Sequence, residues 1–177
     1  PGVCARGAGP DSRVSDGLVW FPASVPEVDV VGRAAPGGEE GSGLMLDWPG
    51  VTVVMEVANT SRVVVELTET RSWPVGEGRS ASCLYVVVVD GEVATDALAT
   101  QVGTSKYVLA SKLEQSKAHR IELFKRSEAD YNAPVSAPSP VTLERIGLDV
   151  GGRLEAGSRS GSGRRLLIVG DSITCGY

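Results

Sequence analysis

Apolar residues along this chain recur at every second position rather than every third or fourth. Val51, Val53, Met55 and Val57 alternate with Thr52, Val54 and Glu56, and Val63, Val65 and Leu67 alternate with Arg62, Val64 and Glu66. A period of two places each set on one face of a strand. Asn59-Thr60-Ser61 lies between the two runs, and short polar side chains of this kind bond back to local backbone, so the spacing predicts a hairpin. Leu84-Tyr85-Val86-Val87-Val88-Val89 is a β-branched run suited to a central strand. Asp90-Gly91 after it supplies the positive φ of a tight hairpin, with Val93 opening the return strand. Lys106 to Ala110, His119 to Lys125 (Ile121 and Leu123 on one face) and Val141 to Leu148 are further strands, and residues 111–118 leave room for a short helix. Many short strands between Gly/Pro turns predict an all-β sandwich or barrel, beginning near Pro26 and running to residue 152.

The pattern fails at both ends of this region. Residues 1–25 are rich in Gly, Ser, Pro and Ala without a sustained period, which predicts a disordered arm whose end Trp20 and Phe21 anchor. Residues 153–164 include Gly157-Ser158-Arg159-Ser160-Gly161-Ser162-Gly163, a flexible linker by composition. Arg165-Leu166-Leu167-Ile168-Val169 then forms a continuous apolar run, as in a strand buried on both faces of a parallel sheet. The expected organisation is thus arm, sandwich, linker, and at residues 165–177 the first strand of an α/β unit.

Composition narrows the functional classes. Net charge is -5, with no basic stripe for nucleic acid. The longest apolar run is far too short to span a bilayer. Three cysteines (Cys4, Cys83 and Cys175) without close spacing, and one histidine, His119, do not suggest a metal site. No cofactor motif is present. The chain starts at Pro1, so a secretory signal could precede it and the compartment stays open.

The chemistry sits at the end of the chain. Gly170-Asp171-Ser172 follows the apolar strand and precedes an expected helix. Glycine permits the sharp turn, the helix start aims unpaired N–H groups at the site, and a hydroxyl there can attack an acyl carbonyl once a base takes its proton. A nucleotide-binding loop does not fit, because no lysine follows the glycines in a Walker pattern.

The octapeptide Gly170-Asp171-Ser172-Ile173-Thr174-Cys175-Gly176-Tyr177 resembles the first block of the SGNH (GDSL-type) hydrolases, in which this serine is the nucleophile. Its ending resembles that of carbohydrate esterase family 2. So, in order along residues 30–177, do Leu46-Asp47-Trp48-Pro49-Gly50, Val86 to Gly91, His119 to Ala129, and Ile146 to Gly151. The resemblance implies a jelly-roll sandwich followed by a flavodoxin-like SGNH domain that acts through Ser172 on acetylated polysaccharide such as xylan or mannan. Asp171 then shapes the turn and is not the acid of the triad. The remaining oxyanion-hole Gly and Asn and the late Asp-x-x-His fall downstream of this block, so the chain alone is expected to be an inactive fragment.

Two further readings stay open at this point: a sandwich that binds carbohydrate without catalysis, and an esterase or lipase for another acyl substrate. His119 is expected to be structural, Trp48 to pack in the core or a turn, Trp73 to make an exposed contact, Asp149 and Glu128 to be solvated or to serve turns, and Cys175 to pack.

Overall fold

The computed structural model describes residues 11–15, 17–70, 73–74, 80–81, 83–127 and 141–157, with backbone alone for 11–15, 73–74 and 80–81. The apolar run 165–169 therefore lies outside the described residues. Strands β1 (Asp11–Ser15), β2 (Leu18–Pro22), β3 (Val28–Val31), β4 (Ala34–Gly37) and β5 (Gly43–Leu46) come first, with a 3-10 turn at Glu39–Gly41. Then follow β6 (Thr52–Ala58), β7 (Arg62–Glu69), β8 (Trp73–Pro74) and β9 (Ser80–Ala81). Strands β10 (Leu84–Val89), β11 (Glu92–Ala99) and β12 (Gly103–Ser111) lead to β13 (Ala118–Lys125), β14 (Val141–Asp149) and β15 (Arg153–Glu155).

These strands build an all-β, antiparallel jelly-roll sandwich. In one sheet β12, β7 and β14 lie side by side, and β2 and β5 share the far side of β14, extended by β1 and β4. In the other the order is β11, β10, β13, β6, with β3 and β15 sharing the far side of β6. The period-two sets meet between the sheets. Val51, Val53, Met55 and Val57 from one side and Val63, Val65 and Leu67 from the other are all at most 1% exposed, joined by Tyr85, Val87, Ile121, Leu123, Ile146 and Leu148. Burying each aliphatic side chain is worth about 1.5–3 kcal/mol, so this seam holds the sheets together.

Asp90 (φ 52) and Gly91 (φ 86) turn β10 into β11 as expected. β6 and β7 do not form the expected hairpin. β6 pairs with β13, β3 and β15 in one sheet, whereas β7 pairs with β12 and β14 in the other. Both strands point valines at the same core, which they can do only by facing each other across it. Asn59, at φ 53, carries the chain over that corner.

Three more expectations are corrected. No helix forms in residues 111–118: Ser111 ends β12, Ala118 begins β13, and 112–117 are a loop in which Lys112 takes φ 62 and the Leu113 N–H bonds to the Ser61 carbonyl at 2.9 Å, which ties the loop to the corner. The arm 1–25 is not irregular throughout, since β2 enters the sheet beside β14 and buries Leu18 and Trp20 to 2% exposure each. The linker does not begin at residue 153, because Arg153–Glu155 pairs with Ala58 to Glu56 of β6.

Candidate functional site

Gly170, Asp171 and Ser172, together with Cys175 and Glu128, lie outside the described residues, and for Trp73 only the backbone is described. The described residues instead reveal two polar locks at the corners of the sandwich and a groove on one outer face.

The first lock involves the sole histidine. Nδ1 of His119 is 2.7 Å from Asp90 Oδ2, and Nε2 is 3.1 Å from the carbonyl oxygen of Glu114. Both partners only accept, so these contacts assign a proton to each ring nitrogen. The hydrogen bond to Asp90 raises the pKa of His119 above the usual imidazole value, against the opposing effect of burial. On Asp90, burial pushes upward but is outweighed by hydrogen bonds from His119 and from the Arg120 N–H, so its carboxyl sits below the usual range. A base needs a free lone pair. Each ring nitrogen of His119 faces an acceptor of the fold, and the residue ties the β10–β11 turn to the loop before β13.

Asp149 closes the second lock. Its Oδ2 accepts from the Ser61 N–H at 2.8 Å and the Ser61 hydroxyl at 2.7 Å, with Arg62 at 3.4 Å from its other oxygen. Burial would raise its pKa, but these hydrogen bonds and the Arg62 charge lower it. Asn59 adds a 2.8 Å bond from Nδ2 to the Gly151 carbonyl. Of the two expected roles, solvated or turn, Asp149 takes the turn. Trp48 stands in a turn at 43% exposure, beneath the Arg33 guanidinium at 5.3 Å.

The groove lies on the outer face of the sheet that contains β14. Strand register lines up Arg145, Glu66 and Lys106 in one row and Thr142, Thr68 and Thr104 in the next. Nε and Nη2 of Arg145 donate to the two carboxylate oxygens of Glu66 at 2.8 and 3.0 Å. The guanidinium also sits 4.6 Å from the Trp20 ring centroid, and the Lys106 ammonium 5.3 Å from the same ring. The ring fits there because position 147 is glycine: a Cβ at Gly147 would meet it at 2.9 Å. Thr68 and Thr104 share a hydroxyl–hydroxyl bond of 2.9 Å. Leu143 pairs with Leu67 and Arg145 with Glu66, so Glu144 is the extra residue of a bulge, which re-aims it. It lies with Gly38, Glu39 and Ser42 along the groove, whose volume is about 620 Å³.

None of these groove residues was a candidate in the sequence. The alternation around Val63 to Leu67 does put Glu66 on the outward face. The bulge and the pairing of distant strands, which bring Arg145 and Trp20 to it, leave no local signal.

The far end of the core holds a buried polar group. Glu69 accepts the Thr100 hydroxyl, and Lys125, fully buried, donates to the Ser127 carbonyl at 3.1 Å. Cys83, buried beside them, has its thiol pKa raised by burial. Among the described residues no cluster could hold a metal ion, and no helix is long and apolar enough to cross a membrane.

Sheet order, core and corner locks define a jelly-roll β-sandwich domain. The model of the carbohydrate esterase 2 N-terminal family matches residues 30–135, more than half of the sequence, and the chain belongs to that family. Three solved structures share the fold. A family two carbohydrate esterase from Cellvibrio japonicus is 22% identical, with a TM-score of 0.56 over 74% of this chain and 33% of its own. A family two carbohydrate esterase from Clostridium thermocellum, in complex with cellohexaose, is 21% identical, with a TM-score of 0.56 over 75% of this chain and 34% of its own. An acetyl xylan esterase from the rumen bacterium Butyrivibrio proteoclasticus is 16% identical, with a TM-score of 0.61 over 81% and 35%. The chain therefore spans about a third of the length of these proteins. No curated protein matches the sequence.

Proposed function

We propose that the chain is the front part of a serine carbohydrate esterase that removes acetyl groups from xylan or mannan through an acyl-enzyme. The observation that carries this reading is membership of the carbohydrate esterase 2 N-terminal family over residues 30–135, followed in the same chain by Gly170-Asp171-Ser172 behind an apolar run. The hydroxyl of Ser172 attacks the acetyl carbonyl while a base accepts its proton. The backbone N–H of Ser172 is one donor to the oxyanion. The sugar oxygen leaves with the proton, and water then hydrolyses the acetyl-serine by the same route in reverse. Gly170 permits the turn and Asp171 shapes it. With both nitrogens of His119 committed, the base is a histidine in the rest of the catalytic domain. No cofactor is required.

The test uses the protein extended by its native continuation and measures acetate released from acetylated xylan and mannan. Ser172→Ala should lower kcat at least about a thousand-fold with the fold unchanged. Undiminished release by that variant overturns the reading.

A further inference from the structure

We propose that the outer-face groove between β14, β7, β12 and the Gly38–Ser42 turn is a binding subsite for a neutral glycan chain. The inference deepens the carbohydrate reading above and rests on it.

A solvated sheet face needs no organised polar side chains, but here they are held in place. Arg145 is fixed by two hydrogen bonds to Glu66 and by its seat near the Trp20 ring. The Glu66 side chain is 13% exposed and that of Arg145 36% exposed. A planar donor immobilised before the ligand arrives loses little further freedom on binding. Its Nη1 N–H bonds are not engaged by Glu66 and can donate to a sugar hydroxyl. Two residues further along the strands, about 6.8 Å away, the Thr68 and Thr104 hydroxyls offer a mixed donor and acceptor pair. Pro22 gives the groove an apolar edge against which the C–H face of a ring can lie.

Charge selects among sugars. Glu66 neutralises Arg145, and the Lys106 ammonium near the Trp20 ring offsets one of the two further carboxylates, Glu39 and Glu144, which leaves the groove with a net negative charge. Carboxylates accept from hydroxyls and repel anions, so a neutral chain fits better than a uronate polymer. The volume of about 620 Å³ lies within the range of about 300–1,000 Å³ that small-ligand sites occupy.

The experiment is affinity electrophoresis of the 177-residue chain in gels containing xylan, glucomannan or polygalacturonate. Xylan or glucomannan should retard the chain and polygalacturonate should not. The double change Thr68→Ala with Thr104→Ala, and separately Glu144→Lys, should each weaken apparent affinity about ten-fold or more. Phe124→Ser, on the outer face of the other sheet, should leave it unchanged. Circular dichroism confirms the fold of each variant, and Glu144→Gln replaces any that fails to fold. Retardation that persists unchanged in the groove variants overturns the subsite but leaves the carbohydrate reading standing with its site elsewhere. Retardation by polygalacturonate alone overturns the neutral ligand. Absence of retardation on every gel also overturns the subsite, while acetate release and the Ser172→Ala comparison judge the esterase reading independently.

Discussion

His119 and Asp90 show how two residues can make a fold sensitive to pH from both sides. The folded pKa of His119 is raised, so its contribution is complete below the ordinary imidazole value of about 6.5 and is lost as pH rises through the folded value. The folded pKa of Asp90 is lowered, so its contribution is present above the ordinary carboxylate value of about 3.9 and fades as pH falls through the folded value. Urea midpoints measured between about pH 5 and 9 should fall on the alkaline side, and His119→Gln should flatten that fall. An alkaline slope that survives in the variant would assign it to another group. Gly147 makes a second residue-scale case. A methyl at this position would press on the Trp20 ring from 2.9 Å, so Gly147→Ala should cost about 1–3 kcal/mol in urea unfolding. An unchanged midpoint would mean that the ring can move aside. The sequence gives no hint of this contact, because Gly147 and Trp20 meet only through the pairing of β14 with β2.

At the scale of elements, the alternating valines announced β6 and β7 and even the faces they bury. They could not say whether the strands lie side by side or across a core from each other, since either arrangement buries the same set. What decides is the corner. Asp149, far away in sequence at the end of β14, collects Ser61 and Arg62, and Asn59 reaches Gly151. These bonds hold the chain in a crossing between sheets rather than a hairpin. Asp149→Ala strips the carboxylate from Ser61 and should destabilise the domain by about 1–3 kcal/mol, with Asp149→Asn recovering part of the loss. Equal midpoints for all three proteins in denaturant would show that the corner is held by the core alone. Asp90-Gly91 was legible for the opposite reason: a tight turn carries its instructions locally, in the φ preferences of two adjacent residues.

Across the whole molecule, the β-sandwich and its core could be read from periodicity, whereas the eight-residue serine motif lies outside the described residues. The groove could not, because it draws on β2, β7, β12, β14 and the turn before β5, which approach one another only in the folded sandwich. The open side of the sandwich has a consequence of its own. Among the described residues β11 pairs as a strand with β10 alone, and Arg126 Nη1 donates to its Asp96 carbonyl at 2.7 Å, so its remaining outward backbone groups could template a neighbouring chain. Its register against β10 is interrupted twice, once between Tyr85 and Val87 and again between Val87 and Val88, and Glu92 and Asp96 place like charges along it. Such interruptions twist a strand away from the straight ladder that intermolecular β-pairing requires, and two carboxylates facing their own copies repel. By both devices β11 is a poor seed for β-pairing between copies of the domain.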